Sequence, residues 1–128
     1  LVVTTVLMGK HIDKREADGA KGIHTIPVLI GEKPALTLNM ALMIAYYAAV
    51  AGLLLTGTVG IWVGLVVLAV PRLVRVIRIY LKPRPAEPPE NYPVWPLWYV
   101  AAAFYHNKLA GGLFVLGLVL NLLLPIHL

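Results

Sequence analysis

The chain has 128 residues, of which 59% are hydrophobic and only 13% are charged. This composition lies far from the soluble average, and a mean hydropathy of +0.80 is typical of membrane proteins. Because there is no cysteine, a disulfide framework and a cysteine metal site are both excluded. The net charge of +5 falls in polar loops, a pattern that indicates membrane topology rather than a nucleic-acid partner.

The chain opens on an apolar segment, residues 1–8, which reads LVVTTVLM. A helix needs about 20 residues to cross a hydrocarbon core, so this segment is too short to span a membrane. We interpret it as the end of a span and expect the chain to be the C-terminal piece of a larger protein. A short buried strand is the alternative.

A polar segment, residues 9–33, follows and contrasts with the rest of the chain. Helix is predicted to continue from His11 to Lys21 and to end at Gly22, since glycine supplies a left-handed cap. A polar segment in an apolar chain is either a loop between membrane spans or a site, and the two are compatible.

Three apolar stretches after this segment predict three membrane spans. The first, 35–56, has no charged residue. The second, 58–80, follows a tight uncharged turn, so it is antiparallel to the first, and Pro71 is expected to kink it. The third covers 109–125.

A connector, residues 82–96, joins the second and third spans and holds six of the ten prolines. Such a segment is predicted to be stiff, extended and solvated. Residues 97–106 are rich in aromatic side chains, which prefer the headgroup level of a bilayer, and predict a separate interfacial helix. One continuous helix from Pro96 to Leu124 is the competing arrangement.

The eleven lysines and arginines all fall on one predicted face of the membrane. They precede the first span, lie in the last part of the second or lie between the second and third, and the turn between the first two spans has none. By the positive-inside rule this face is cytoplasmic. Arg72, Arg75 and Arg78 are spaced by three and are interpreted as an anchor there, with a phosphate or anionic-lipid contact as the alternative.

Three acids lie within six residues of the polar segment: Asp13, Glu16 and Asp18. Clustered carboxylates are hard oxygen ligands and suit Mg²⁺, which binds through one or two carboxylates together with waters and substrate phosphates. Three cations are interleaved with them, able to neutralise the acids or to hold a diphosphate: Lys14, Arg15 and Lys21. From spacing alone, a solvated mixed-charge loop is the other interpretation.

The stretch DGAKGIHTIPVLIGE resembles the second aspartate-rich motif of the UbiA-type intramembrane aromatic prenyltransferases. The positions that agree in order and spacing are Asp18, Gly22, Thr25, Pro27, Val28 and Gly31. The resemblance implies an all-α polytopic membrane helix bundle, the C-terminal part of a nine-span fold. It also implies an integral protein of the prokaryotic plasma membrane, with the acidic loop in the cytoplasm.

The chain departs from this family's motif at one position. Lys14 stands four residues before Asp18, where the family usually has its first aspartate. Asp13 stands five residues before Asp18, and positions five apart on a regular helix point about 140° away from each other. The resemblance therefore implies a metal role for Asp18, with Asp13 or Glu16 as its partner.

The resemblance also implies an activity, namely transfer of a prenyl group from an isoprenoid diphosphate to an aromatic or other lipid-soluble acceptor, with Mg²⁺. Lys14, Lys21 and Arg15 are expected to contact the diphosphate. The family's first aspartate motif is absent here, so we expect a missing N-terminal half to supply it and this chain alone to be inactive. The alternative is a non-catalytic membrane subunit or transporter fragment with a solvated charged loop.

Three polar residues in or beside the predicted spans are candidates for lining a cavity: Asn39, His106 and Asn107. A polar group inside a span is costly unless it has a partner, which makes such groups functional candidates. Hydrogen bonding at the membrane interface is the alternative for His106 and Asn107.

Overall fold

The chain folds into a bundle of helices. The structure, a computed structural model, describes residues 1–126. Its elements in chain order are α1 Val2–Asp13, α2 Arg15–Ala20, α3 Ile26–Ile30, α4 Glu32–Leu55, a 3-10 helix Ile61–Ala69, α5 Val70–Tyr80 and α6 Tyr99–Leu123. Because residues 1–126 contain no strand, the predicted all-α class is confirmed.

Two of the described helices, α4 and α6, are long and apolar enough to cross a membrane. The helix α4 agrees with the predicted span 35–56, although it begins three residues earlier. The predicted span 58–80 is helical from Ile61 onward, but its first half is a 3-10 helix and its second half is α5. The change occurs just before Pro71, whose missing amide suits the first turn of an α-helix.

The predicted interfacial helix is wrong. Residues 97–106 and the predicted span 109–125 belong largely to one helix, α6, which continues without interruption through His106. No proline lies inside α6 to break the ladder of backbone hydrogen bonds. The aromatic composition therefore says nothing about a change of helix direction here.

The polar segment is more ordered than a simple loop. It contains the end of α1 and the short helices α2 and α3. The expected helix end at Gly22 is confirmed, since α2 ends at Ala20 and Gly22 has φ +71°, in the left-handed region that glycine tolerates. Lys14, with φ −99° and ψ 4°, separates α1 from α2.

Two apolar clusters hold the bundle together. The first joins α1, α4, α5 and α6 and includes Ile12, Met43 and Tyr99. The second joins α4, the 3-10 helix and α6 and includes Val63 and Ala110. These contacts place the beginning of α6 beside the end of α1, and therefore beside the polar segment.

Glycines allow α6 to approach its neighbours closely. A Cβ added at Gly117 would lie 2.6 Å from the Trp62 carbonyl oxygen, and one at Gly9 would lie 2.9 Å from the Val100 Cα. Both values are too short for a real Cβ contact. The packing of α6 on the 3-10 helix and on α1 therefore requires these two glycines.

Membrane topology is directly testable because the chain has no cysteine. We expect single cysteines at Thr58 and Glu87, both exposed, to react with an impermeant maleimide from opposite sides of the membrane. Thr58 is preferred to Gly57, whose φ of +66° would strain a side chain. Labelling of both cysteines from the same side would contradict the predicted arrangement.

Candidate functional site

Asp13, the last residue of α1, caps the N-terminus of α6. Its Oδ2 accepts hydrogen bonds from the backbone N–H groups of Trp98 at 3.0 Å and Val100 at 2.9 Å, and Oδ1 accepts one from Tyr99 at 3.0 Å. The first N–H groups of a helix have no partner within it, and the helix dipole favours negative charge there. Asp13 therefore provides for α6 the cap that Trp98, at the N-cap position, does not provide with its own side chain.

Asp13, together with Glu16 and Arg84, lines a cavity of about 530 Å³. Its side chain is only 2% exposed, and Arg84 Nη1 lies 4.0 Å from Oδ1. Burial raises the pKa of Asp13 above its ordinary value, and the backbone hydrogen bonds and Arg84 oppose that rise. A carboxylate has about four lone-pair sites, and most of those on Asp13 are already in use. In this arrangement the oxygens of Asp13 thus serve mainly to cap α6, and its role as a magnesium ligand stays a prediction.

Asp18, in α2, is buried as well, with 4% of its surface exposed. Its Oδ2 lies 3.4 Å from His11 Nδ1, and its Oδ1 lies 3.8 Å from Lys14 Nζ. Backbone hydrogen bonds from Lys14 N–H to the Lys10 carbonyl and from Asp18 N–H to the Lys14 carbonyl keep the helical spacing across the junction of α1 and α2, which brings these side chains together. A buried carboxylate requires a compensating partner, and Lys14 supplies the positive charge.

Glu16 and Lys21 extend into solvent. The Glu16 side chain is 93% exposed, and its only salt-bridge partner among the described residues is Arg15, at 3.9 Å. Lys21 is exposed at the end of α2. Across residues 1–126, no group of three or more acids and histidines converges in a way that would hold a metal. The three acids are thus close in sequence but have different surroundings.

Of the three acids, Asp18 fits a Mg²⁺–diphosphate site best. Mg²⁺ is bound in such sites by one or two carboxylates, with phosphate oxygens and waters completing the octahedron. The contacts that Asp18 makes are long, at 3.4 and 3.8 Å, so its oxygens keep free lone pairs. Lys14 already lies beside this carboxylate, where a bound phosphate would also meet it.

Asn39 lies between helices. It is fully buried, and its Nδ2 donates to the Thr5 carbonyl at 2.9 Å and to the Tyr80 hydroxyl at 3.0 Å. The Tyr80 hydroxyl in turn donates to the Tyr99 carbonyl at 3.1 Å. These bonds connect α1, α4, α5 and α6, as polar side chains do in membrane bundles.

His106 is likewise buried, and its Nε2 lies 2.8 Å from the Tyr47 hydroxyl. Tyr47 is thus the polar partner of His106. Asn107, next along α6, is half-buried.

Arg84, which the sequence analysis did not identify as a candidate, makes contacts that position the connector. Its Nη2 donates to the Pro96 carbonyl at 2.8 Å, and its guanidinium carbon lies 4.9 Å from the centroid of the Trp95 ring. Together with its proximity to Asp13, these contacts fix the connector over the polar segment. Nothing in the local pattern indicated them, because the partners are far apart in sequence.

The fold and the polar segment define an all-helical membrane protein with a charged site at one end of its bundle. The chain matches the UbiA prenyltransferase family over residues 1–107, and it belongs to that family, whose members are integral membrane proteins. It is similar to the 1,4-dihydroxy-2-naphthoate octaprenyltransferase of Bacillus subtilis (strain 168), with 30% identity over 82 residues. Those residues are 64% of this chain and 26% of that protein. The chain thus spans about a quarter of the length of this curated relative, and no solved structure matches it.

Proposed function

We propose that this chain is part of a prenyltransferase that moves a prenyl group from an isoprenoid diphosphate to an aromatic or other lipid-soluble acceptor. Family membership supports a function of the prenyltransferase kind. The observation that carries the proposal is the pairing of the buried Asp18 with Lys14 at a distance of 3.8 Å. A carboxylate and an ammonium side by side suit a phosphate together with its counter-ion.

Departure of a diphosphate concentrates negative charge on the leaving oxygens. Lys14, Arg15 and Lys21 are the side chains of the polar segment that would stabilise this charge. Arg15 already pairs with Glu16 at 3.9 Å, and its buried Nε has no hydrogen-bond partner among the described residues. Mg²⁺, when bound, supplies further positive charge to the leaving group. Asp18 would hold the metal, and Glu16 is the second carboxylate free to contribute.

We propose that the complete site also requires an N-terminal part with further spans and a second acidic motif. The quarter-length match to the curated relative supports this proposal. The one-sided distribution of cations supports a cytoplasmic location for the polar segment, in the plasma membrane of a prokaryote.

The acceptor that we propose is a hydroxylated aromatic compound of the kind used in quinone biosynthesis. The name of the curated relative refers to 1,4-dihydroxy-2-naphthoate as its acceptor and to an octaprenyl group. At 30% identity this similarity supports the acceptor class and does not specify the prenyl chain length.

The test is a transfer assay with the complete protein in liposomes. Radiolabelled farnesyl diphosphate and 1,4-dihydroxy-2-naphthoate are supplied with and without Mg²⁺. We expect a prenylated aromatic product with Mg²⁺, its loss on chelation and its recovery when Mg²⁺ is returned. A well-folded protein that leaves several prenyl diphosphates and aromatic acceptors unchanged would favour the non-catalytic membrane subunit instead.

A further inference from the structure

A cleft of about 550 Å³ opens between the N-terminal end of α4, the C-terminal end of α5 and the beginning of α6. Its volume lies within the range of small-molecule sites, about 300–1,000 Å³. Asp13, Glu16 and Asp18 do not line it. The cleft shares Glu32 and Pro83 with the cavity that Asp13 and Glu16 line, so it adjoins the acidic site without including those acids.

The walls of the cleft combine apolar and basic side chains. Leu36 and Met40, one turn apart on α4, form part of its apolar surface. Lys33, in the first turn of α4, and Lys82, just after α5, contribute two exposed ammonium groups. Neither lysine forms a salt bridge with a described residue. Glu32 is the one acid of the lining, so the cleft carries a net positive charge.

Tyr99 adds a polar group that has no protein partner. It lines the cleft and is 1% exposed, and its hydroxyl forms no hydrogen bond with a described residue. The neighbouring Tyr80 hydroxyl is satisfied, because it accepts a bond from Asn39 and donates one to the Tyr99 carbonyl. A buried hydroxyl without a partner is unfavourable, so the Tyr99 phenol is available to a polar atom of a ligand.

The cleft lies at the end of the bundle that carries the polar segment and the connector. The apolar helix α4 begins immediately after the polar segment, and α5 ends immediately before the connector. A ligand in the cleft would have its charged group at the level of Lys33 and Lys82. Its apolar part would extend along Leu36 and Met40, toward the interior of the membrane.

We propose that this cleft binds an anionic phospholipid, with the headgroup phosphate between Lys33 and Lys82 and near the Tyr99 hydroxyl. A phosphate diester supplies the negative charge and the hydrogen-bond acceptors, and an acyl chain matches the apolar wall. A free phosphate would satisfy the lysines but would leave Leu36 and Met40 uncovered. Lipid binding in this cleft would not require prenyl transfer.

The test titrates the complete protein in a zwitterionic detergent and follows unfolding by the fluorescence of its tryptophans. The probes are dihexanoyl phosphatidylglycerol, dihexanoyl phosphatidylcholine and inorganic phosphate. We expect phosphatidylglycerol to raise the unfolding temperature, and the other two to have little effect. The double variant Lys33→Gln/Lys82→Gln should bind phosphatidylglycerol about 10- to 30-fold more weakly.

The matched control is Lys10→Gln/Lys108→Gln, which removes the same charge from exposed positions of α1 and α6 that do not line the cleft. It should keep the affinity of the unchanged protein. Equal loss in both double variants would show that binding follows net charge and would overturn the proposal. An equal response to inorganic phosphate alone would overturn the lipid assignment in favour of a free anion.

The variant Tyr99→Phe tests the hydroxyl separately. Because that hydroxyl has no protein partner, the variant should fold normally and bind phosphatidylglycerol roughly 2- to 10-fold more weakly. An unchanged affinity would overturn the placement of the phosphate next to Tyr99.

Discussion

Replacement of Asp18 by alanine is expected to lower the rate of prenyl transfer by the complete protein on the order of 10²- to 10³-fold. Loss of one group that stabilises developing charge typically has an effect of this size. Asp18 is the acid whose oxygens are buried and still have free lone pairs, and it also holds Lys14 in place. The initial rate in liposomes, measured over a range of Mg²⁺ and diphosphate concentrations, is the observable.

Two controls separate this effect from a general loss of charge. Asp18→Asn keeps the shape of the side chain and should lose nearly as much activity, because the amide cannot supply a negative oxygen. Glu90→Ala removes an exposed acid from the connector and should leave the rate nearly unchanged. Normal turnover by a folded Asp18→Ala protein would contradict the metal assignment and would leave the polar segment as a charged connector.

The Mg²⁺ dependence adds a readout for Glu16, which is exposed and close in sequence. If Glu16 supplies a second carboxylate, Glu16→Ala should raise the Mg²⁺ concentration needed for half-maximal rate. Its effect on the maximal rate should be milder than that of Asp18→Ala, because a water can replace one exposed ligand.

The all-α fold class was predictable from the apolar sequence, because only helices and closed barrels can span a membrane. Backbone groups in hydrocarbon must be satisfied internally, so long uncharged stretches become helices. The first span was predicted to within three residues at its start. The prediction of a separate interfacial helix was wrong because it used aromatic residues, which indicate depth in the bilayer. Whether a helix continues is decided instead by its local backbone hydrogen bonds.

The contacts of Asp18 were accessible from the sequence, and those of Asp13 were not. His11 and Lys14 stand seven and four residues before Asp18, which are spacings that one helix brings together. The partners of Asp13 belong to the start of α6, which packing alone brings to the end of α1. The partners of Asn39 and His106 depend on helix packing in the same way.

Replacement of Asp13 by alanine is expected to destabilise the folded protein by about 3–5 kcal/mol. An ordinary N-terminal cap contributes about 0.5–2 kcal/mol. The larger value is expected because the Asp13 side chain is buried, and because its removal leaves three backbone N–H groups without their acceptor and Arg84 without its nearby negative charge. Thermal unfolding in detergent measures the loss. Asp13→Asn, which keeps one acceptor oxygen, should lie between alanine and the unchanged protein.

Glu16→Ala is the matched control for stability, since the side chain is almost fully exposed and its removal should change the free energy of unfolding by less than about 0.5 kcal/mol. Asp13 as the cap of α6 and Asp13 as a metal ligand predict different results. As a cap, Asp13→Asn should lower stability while its transfer rate, measured well below the unfolding temperature, keeps the Mg²⁺ dependence of the unchanged protein. An Asp13→Ala protein as stable as Glu16→Ala but unable to transfer a prenyl group would instead identify Asp13 as a metal ligand, with the N-terminus of α6 stable without it.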